Sequence, residues 1–270
     1  MIIRKSREEI AKMREAGRVV AGVLDMIEKY IKPGTRTDAL NELADAYIRE
    51  RGGTPSFLGY RGFPASICTS VNDVVVHGIP GRERLREGDI VGVDVGVILD
   101  GYHADAARTY AVGEISEVAR KLMHVTEDAL EAGIRACRRG NRLGDVSNAI
   151  QRTVEAGGFS VVVQFVGHGI GKRLHEAPEV PNYGKRGNGI KLEKGMVICI
   201  EPMINLGKKD IVQENDGWTI RTADKKVSAH FELAVAIGEK KADILSTFDF
   251  IDEVLFASYL PCTPCGLMTP

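Results

Sequence analysis

Apolar positions along the chain follow two spacings, one of three to four residues and one of two, and the switches between them mark the elements. Ile10, Met13, Val20, Leu24 and Ile27 keep the helical spacing. Ser6, with Glu9 three residues on, forms a capping box ahead of them, and Pro33-Gly34 stops the helix. A second helix is predicted over 37–51, closed by Gly52-Gly53. A loop carrying Phe57, Tyr60 and Phe63 leads into apolar, β-branched segments within 65–78. Residues 90–98 read as a strand, Asp100-Gly101 as a two-residue hairpin turn and 102–112 as the return strand. Helices over 115–139 and 144–157, the latter closed by Gly157-Gly158, and strands near 160–166, 196–200, 217–222 and 227–238 complete the pattern.

The pattern repeats. Leu85-Arg-Glu-Gly-Asp-Ile-Val-Gly-Val-Asp94 matches Leu192-Glu-Lys-Gly-Met-Val-Ile-Cys-Ile-Glu201 in leucine, glycine, apolar run and final acid. Lys32-Pro-Gly34 likewise answers Arg138-Arg-Gly140, and Gly52-Gly53 answers Gly157-Gly158. Two helix-helix-strand units joined near residue 110 are the expected organisation. A pseudo-two-fold axis between them would set Asp94 opposite Glu201.

Asp94 interrupts an otherwise apolar strand, where an unpartnered carboxylate is costly to bury. With Asp100-Gly101 as the turn, Asp94 faces Ala107 and Asp105 faces Gly96, so both aspartates lie on one face as diagonal neighbours. Their small partners leave room between them, and Arg108 points to the opposite face by parity. Two carboxylates that close repel unless a cation intervenes or one stays protonated. Glu201 ends a second apolar run, Glu232 sits in another strand-like stretch, and His168 is flanked by glycines. Four carboxylates and one imidazole make a hard, oxygen-rich ligand set. It suits Mn²⁺, Fe²⁺ or Co²⁺, and Zn²⁺ less specifically. Its charge balances two dications, and two metals about 3.5–4 Å apart can activate one shared water.

Composition narrows the setting. The chain of 270 residues carries a net charge of −1, so no electrostatic attraction to nucleic acid or an anionic membrane is expected. No apolar run approaches the roughly 20 residues of a spanning helix. The start, Met1 to Glu9, is charged, without a signal-peptide apolar stretch, and implies a cytoplasmic protein. Cys68, Cys137 and Cys199 read as buried free thiols, and Cys262/Cys265 form an isolated C-x-x-C.

The motifs Val76-His-Gly-Ile-Pro80, Gly88-Asp-Ile-Val-Gly-Val-Asp94, Gly101-Tyr-His-Ala-Asp105, Gly167-His-Gly-Ile-Gly171, His175-Glu-Ala-Pro178, Ile200-Glu-Pro-Met203 and Phe231-Glu232 occur in one order over about residues 3–247. In these the sequence resembles the type I methionine aminopeptidases. The resemblance implies an α/β (α+β) pita-bread fold, two pseudo-symmetric helix-helix-strand halves around a central curved antiparallel sheet. It implies a single catalytic domain over 1–247 and leaves 248–270 as an irregular tail without a match. It assigns two divalent metal ions (Co, Mn, Fe or Zn) to Asp94, Asp105, His168, Glu201 and Glu232, with a metal-bridging hydroxide attacking the peptide carbonyl. Glu201 would shuttle the proton, His175 would bind the developing oxyanion, and His77 would contact the scissile nitrogen. Phe57, Tyr60, Phe63, Cys68, Leu174 and Trp218 would form the methionine pocket. The implied substrates are N-termini of nascent polypeptides with a small second residue, the ribosome is a candidate partner, and the implied state is a monomer. The short interval between Glu201 and Glu232 argues against type II enzymes. A proline-specific peptidase or dipeptidase on the same fold, or a protein-binding pseudo-enzyme, is the alternative. One departure stands out: Phe231-Glu-Leu-Ala234 replaces the family's Phe-Glu-His-Thr, which puts support around Glu232 in question. His103, His124 and His230 are given no catalytic part, although His230 shares strand parity with Glu232.

Overall fold

The Ser6 hydroxyl accepts from the Glu9 amide while the Glu9 carboxylate accepts from the Ser6 amide, closing the expected capping box. From it runs α1 (Arg7–Glu28), followed by α2 (Thr37–Glu50), α3 (Glu117–Ala136) and α4 (Leu143–Gly157) in a computed structural model that describes residues 1–246. The strands are β1 (Thr54–Pro55), β2 (Ile67–Val71), β3 (Val74–Val76), β4 (Ile90–Leu99), β5 (Tyr102–Ala111), β6 (Ser160–Val161), β7 (Gly167–Gly169), β8 (Glu176–Val180), β9 (Val197–Ile200), β10 (Met203–Asn205), β11 (Ile211–Gln213), β12 (Ile220–Thr222), β13 (Ser228–His230), β14 (Glu232–Ile237) and β15 (Ala242–Ile244). The tail and Cys262/Cys265 lie outside the described residues.

The main sheet is antiparallel, in the order β1-β4-β5-β14-β9-β7-β8. Its bending is visible in the pairing. One edge of β4 is shared by β2 and β1, and β14 leaves β5 after Leu233 to be covered by β15. β10, β13 and β6 form one small sheet, and β11, β12 and β3 another.

Alternation along the central strands divides the molecule into two sides. Val91, Val93, Val95, Val97, Ala104 and Ala106 pack with Val20, Leu24, Ile27, Leu40 and Ile48 of α1 and α2. Ile198, Ile200, Val235 and Ile237 pack with Leu122, Leu130, Ile150 and Val154 of α3 and α4. The helices thus cover one face of the sheet, one pair per half. Arg108 points to this outer face, 3.3 Å from Glu28. The opposite face carries Asp94, Asp105, Cys199, Glu232 and Ala234, whose parity is the reverse.

The predicted repeat is present in the backbone. The Gly34 amide donates to the Leu85 carbonyl (2.7 Å), and the Leu85 amide to Thr35 (2.9 Å). In the second half Gly140 donates to Leu192 (3.2 Å) and Leu192 to Asn141 (2.8 Å). The isolated bridges Arg36↔Arg84 and Arg142↔Lys191 complete the correspondence. The two-halved pita-bread architecture expected from the resemblance is the one observed.

The apolar segments within 65–78 are two strands, parted where Asn72 turns with φ 51°. Two sequence expectations need correction. The segment 227–238 breaks at Phe231, which lets β13 join the small sheet while β14 joins the large one. The strand near 160–166 ends at Val161; the Val162 amide still donates to the Met203 carbonyl (3.0 Å), and farther on Phe165 meets His77 edge-on at 5.4 Å. Strands absent from the sequence pattern, notably β8, are short edge pieces or carry proline, so their apolar alternation is weak.

Gly167 sets the approach of β7 to β9. A Cβ there would lie 2.3 Å from the Cys199 carbonyl oxygen, a backbone atom that cannot swing aside. Gly167→Ala is expected to destabilise the protein by about 1–3 kcal/mol in denaturant unfolding. A change below about 0.5 kcal/mol, the size of an ordinary surface substitution, would mean that the two strands tolerate separation.

Candidate metal centre

Strand register converges the acids. Asp94 pairs with Ala107 on β5, and Ala107 pairs in turn with Glu232 on β14. Leu233 pairs with Ile200, so one step further along the same ladder Glu232 reaches Glu201. Asp94, Ala107, Glu232 and Glu201 therefore form one transverse row on the inner face, with Asp105 two residues along β5 from Ala107. A methyl group is all that stands at the centre of this row. The register Asp94↔Ala107 and Gly96↔Asp105 is the one predicted from the hairpin turn. The expected room beside Gly96 is filled, however. A Cβ on Gly96 would lie 2.6 Å from the Phe57 ring, which occupies that space.

His168 enters from β7. Its Nδ1 lies 2.9 Å from the Gly169 carbonyl oxygen, which can only accept, so Nδ1 holds the proton and Nε2 presents its lone pair. That Nε2 lies 3.6 Å from Glu201, 3.9 Å from Asp105 and 4.0 Å from Glu232. Burial, with His175 nearby, lowers the His168 pKa to about 3, so the ring is neutral and free to ligate.

The acids carry the opposite signature. Burial raises Asp94 to about 7. Burial first, and neighbouring carboxylates second, push Asp105, Glu201 and Glu232 well above the usual carboxylate range. Asp94 Oδ1, Asp105 Oδ1 and Glu232 Oε1 are buried with no hydrogen-bond partner. Ligand atoms of Asp105, His168, Cys199 and Glu232 all lie within 4.8 Å of one another, as do those of Glu201, His230 and Glu232. Orphaned oxygens, mutual repulsion and a neutral imidazole in one place fit a divalent cation, which would relieve all three conditions.

A cavity of about 290 Å³ opens onto this group. Its lining includes Asp94, Asp105, His168, Glu201, Glu232, His77, His175, Phe57, Tyr60, Phe63, Cys68, Leu174 and Trp218, so the residues singled out in the sequence lie together. A larger groove of about 820 Å³ on α3 and α4 is lined by Arg135, Arg138, Arg152 and Arg186 and holds none of the buried acids, so size alone does not select the site. His175 stacks on Tyr60 with centroids 5.3 Å apart, and its Nδ1 lies 2.9 Å from the Tyr60 hydroxyl. His77 adopts φ 59°, a conformation unusual for a non-glycine, and stands edge-on to Trp218 at 6.2 Å. Burial lowers its pKa to about 4.

Sequence reasoning passed over three neighbours. His230 is buried with Nε2 3.8 Å from Glu201 and no hydrogen-bond partner; its parity with Glu232 was the signal. Cys199, read as an inert thiol, is free and buried as expected but stands among the acids. Burial and the neighbouring acids raise its pKa, which favours the thiol. Phe165 also lines the cavity. The departure at Leu233-Ala234 turns out to be shared between the two faces. Leu233 packs outward against the helices. Ala234 packs inward, and its amide donates to the Ser246 hydroxyl (3.0 Å), which donates to the Asp105 carbonyl (3.0 Å).

Residues 11–239 match the model of metallopeptidase family M24. The chain is 51% identical over 246 residues to a methionine aminopeptidase of Clostridium perfringens, covering 91% of this chain and 99% of that one. It is 48% identical to methionine aminopeptidase 1 of Bacillus subtilis, with the same coverage. This chain belongs to metallopeptidase family M24, among the methionine aminopeptidases. The crystal structure of the methionine aminopeptidase from Rickettsia prowazekii superposes with a TM-score of 0.90 at 43% identity, covering 92% of this chain and 100% of that one. The resemblance read from the motifs is thereby borne out, and dependence on divalent metal is general in this family.

If these acids hold a cation, Mn²⁺ added to chelator-stripped protein will raise Tm, since a ligand that binds only the folded state stabilises it. Asp105→Asn should abolish most of that rise in thermal melts. An equal rise in both proteins would place the cation elsewhere.

Proposed function

We propose that this protein removes the N-terminal methionine from peptides and nascent chains, preferring a small second residue. The reading rests above all on the four carboxylates gathered around a neutral imidazole at the floor of an aromatic-walled cavity. Asp94, Asp105, His168, Glu201 and Glu232 would hold two divalent ions, with Mn, Fe, Co or Zn suited to the donor set. Bound there, the ions would supply a Lewis acid and an acidified water.

The chain's own residues do the rest. Phe57, Phe63, Leu174 and Trp218, with Tyr60 and Cys68, present aromatic, aliphatic and sulfur surface that matches a thioether side chain. Burial raises the Glu201 pKa and makes its carboxylate more basic, which suits a group that takes a proton from water and returns it to the departing amine. His175 has Nδ1 engaged by Tyr60 and keeps Nε2 for the carbonyl oxygen on which charge develops. His77, neutral and fixed by Phe165 and Trp218, offers a hydrogen bond to the scissile nitrogen.

Among the described residues no helix is long and apolar enough to cross a membrane. A cytoplasmic monomer meeting its substrates at the ribosome completes the reading.

Chelated and metal-reconstituted protein should release methionine from Met-Ala-Ser far faster than from Met-Leu-Ser, and only with metal. Cleavage of Xaa-Pro dipeptides instead would assign a proline-specific peptidase. His175→Ala is expected to lower kcat by about 10²–10³-fold; a change confined to KM would make His175 a substrate-binding group instead.

A further inference from the structure

His168 and His175 belong to one hairpin. β7 and β8 pair through Gly169↔Glu176, and the connection between them carries Leu174 and His175. A six-residue connection would ordinarily leave His175 loosely placed. Here it is tied down by a residue from the other end of the chain. Lys5 Nζ donates to Glu176 Oε2 at 2.6 Å, and the two side chains are only 3% and 2% exposed. Glu176 Oε1 accepts from the Arg173 amide at 3.2 Å, so one carboxylate clamps both sides of the Leu174-His175 step. Lys5 is itself fixed: its amide donates to Gly195 (2.6 Å) and its ammonium to the Ile3 carbonyl (3.2 Å). Gly171 makes way for the pair, because a Cβ there would lie 2.6 Å from Lys5 Cε and 2.7 Å from Glu176 Oε1. Its carbonyl accepts from the His103 amide (2.8 Å), which joins the connection to β5.

We propose that the buried Lys5–Glu176 pair is a positioning device for His175, through which the segment ahead of α1 sets the oxyanion donor against the metal centre. The inference rests on the role given to His175 above. A buried ion pair adds little net stability compared with apolar residues of similar volume, so its directionality is what distinguishes it. Tyr60 holds the His175 ring, and the Glu176 carboxylate holds the Arg173 amide two residues before it, which together restrict the imidazole.

The test is a kinetic cycle on metal-reconstituted full-length protein with Met-Ala-Ser. Glu176→Gln and Lys5→Met should each lower kcat by about 10–100-fold, the scale of an ångström's misplacement, with KM and Mn²⁺ affinity nearly unchanged. In a His175→Ala background Glu176→Gln should add less than about 2-fold, because residues that act as a unit are not additive. The paired replacement Lys5→Met/Glu176→Leu separates position from stability: Tm should recover towards the wild-type value while kcat stays low. Multiplicative losses with His175→Ala, recovery of kcat together with Tm, or loss of the folded state in both single and paired variants would each make the pair structural and overturn the proposal. A fall in metal affinity would overturn it too, by routing the effect through His168. Wild-type protein without metal-dependent methionine release would instead fail the functional reading itself.

Discussion

Four carboxylates crowded onto one face of the sheet, three in a transverse row and Asp105 beside it, are the constraint on which this structure turns. Ionised and unscreened, they would repel strongly; protonated, they would be poor ligands. The fold does not relieve the conflict internally. It places a neutral imidazole beside the row and leaves carboxylate oxygens unpartnered, while Arg108 is sent to the far face of the sheet. Burial is thus spent on preparing a cation site, at a cost in stability that bound metal would offset.

That arrangement follows from duplication of one unit. Each half contributes a helix pair to the outer face and an acid at the end of an apolar run, Asp94 in the first and Glu201 in the second. The central strands β5 and β14 add Asp105 and Glu232. Because the pairings across β4, β5, β14 and β9 are antiparallel and without register shifts, parity alone brings the acids to the inner face and the apolar residues to the helices. A one-residue slip in β4–β5 would turn Asp94 into the helix layer, so the tight Asp100-Gly101 turn protects the chemistry as much as the fold.

This explains which features were legible in the sequence. The hairpin register needed only the turn and the period of two, and it was recovered residue by residue. The repeat needed only self-comparison. Acids on apolar strands were conspicuous because burial makes them costly. What escaped depends on partners distant in sequence. Edge strands such as β8 and β15 are specified by a neighbour's open hydrogen bonds more than by their own composition. The Phe57 ring in the space beside Gly96, Cys199 among the acids and the Ser246 hydroxyl beneath Asp105 are packing outcomes that no local pattern announces.

Ser246 also bears on the altered Leu233-Ala234 step. A threonine at 234 would point its hydroxyl into the inner face next to the acids. Alanine forgoes that group, and the hydrogen bonds at this step come from the backbone. The Ala234 amide and the Asp105 carbonyl are bridged by the Ser246 hydroxyl, with the Leu245 amide donating to the Ala234 carbonyl. Leu233, facing outward, lies between the two helix layers and packs against both. In this chain the backbone of Asp105 is thus held by the Ser246 hydroxyl, from the segment that follows β15. Outer packing and inner chemistry meet at adjacent residues of one strand, Leu233 serving the helix layers and Ala234 the face that carries the acids.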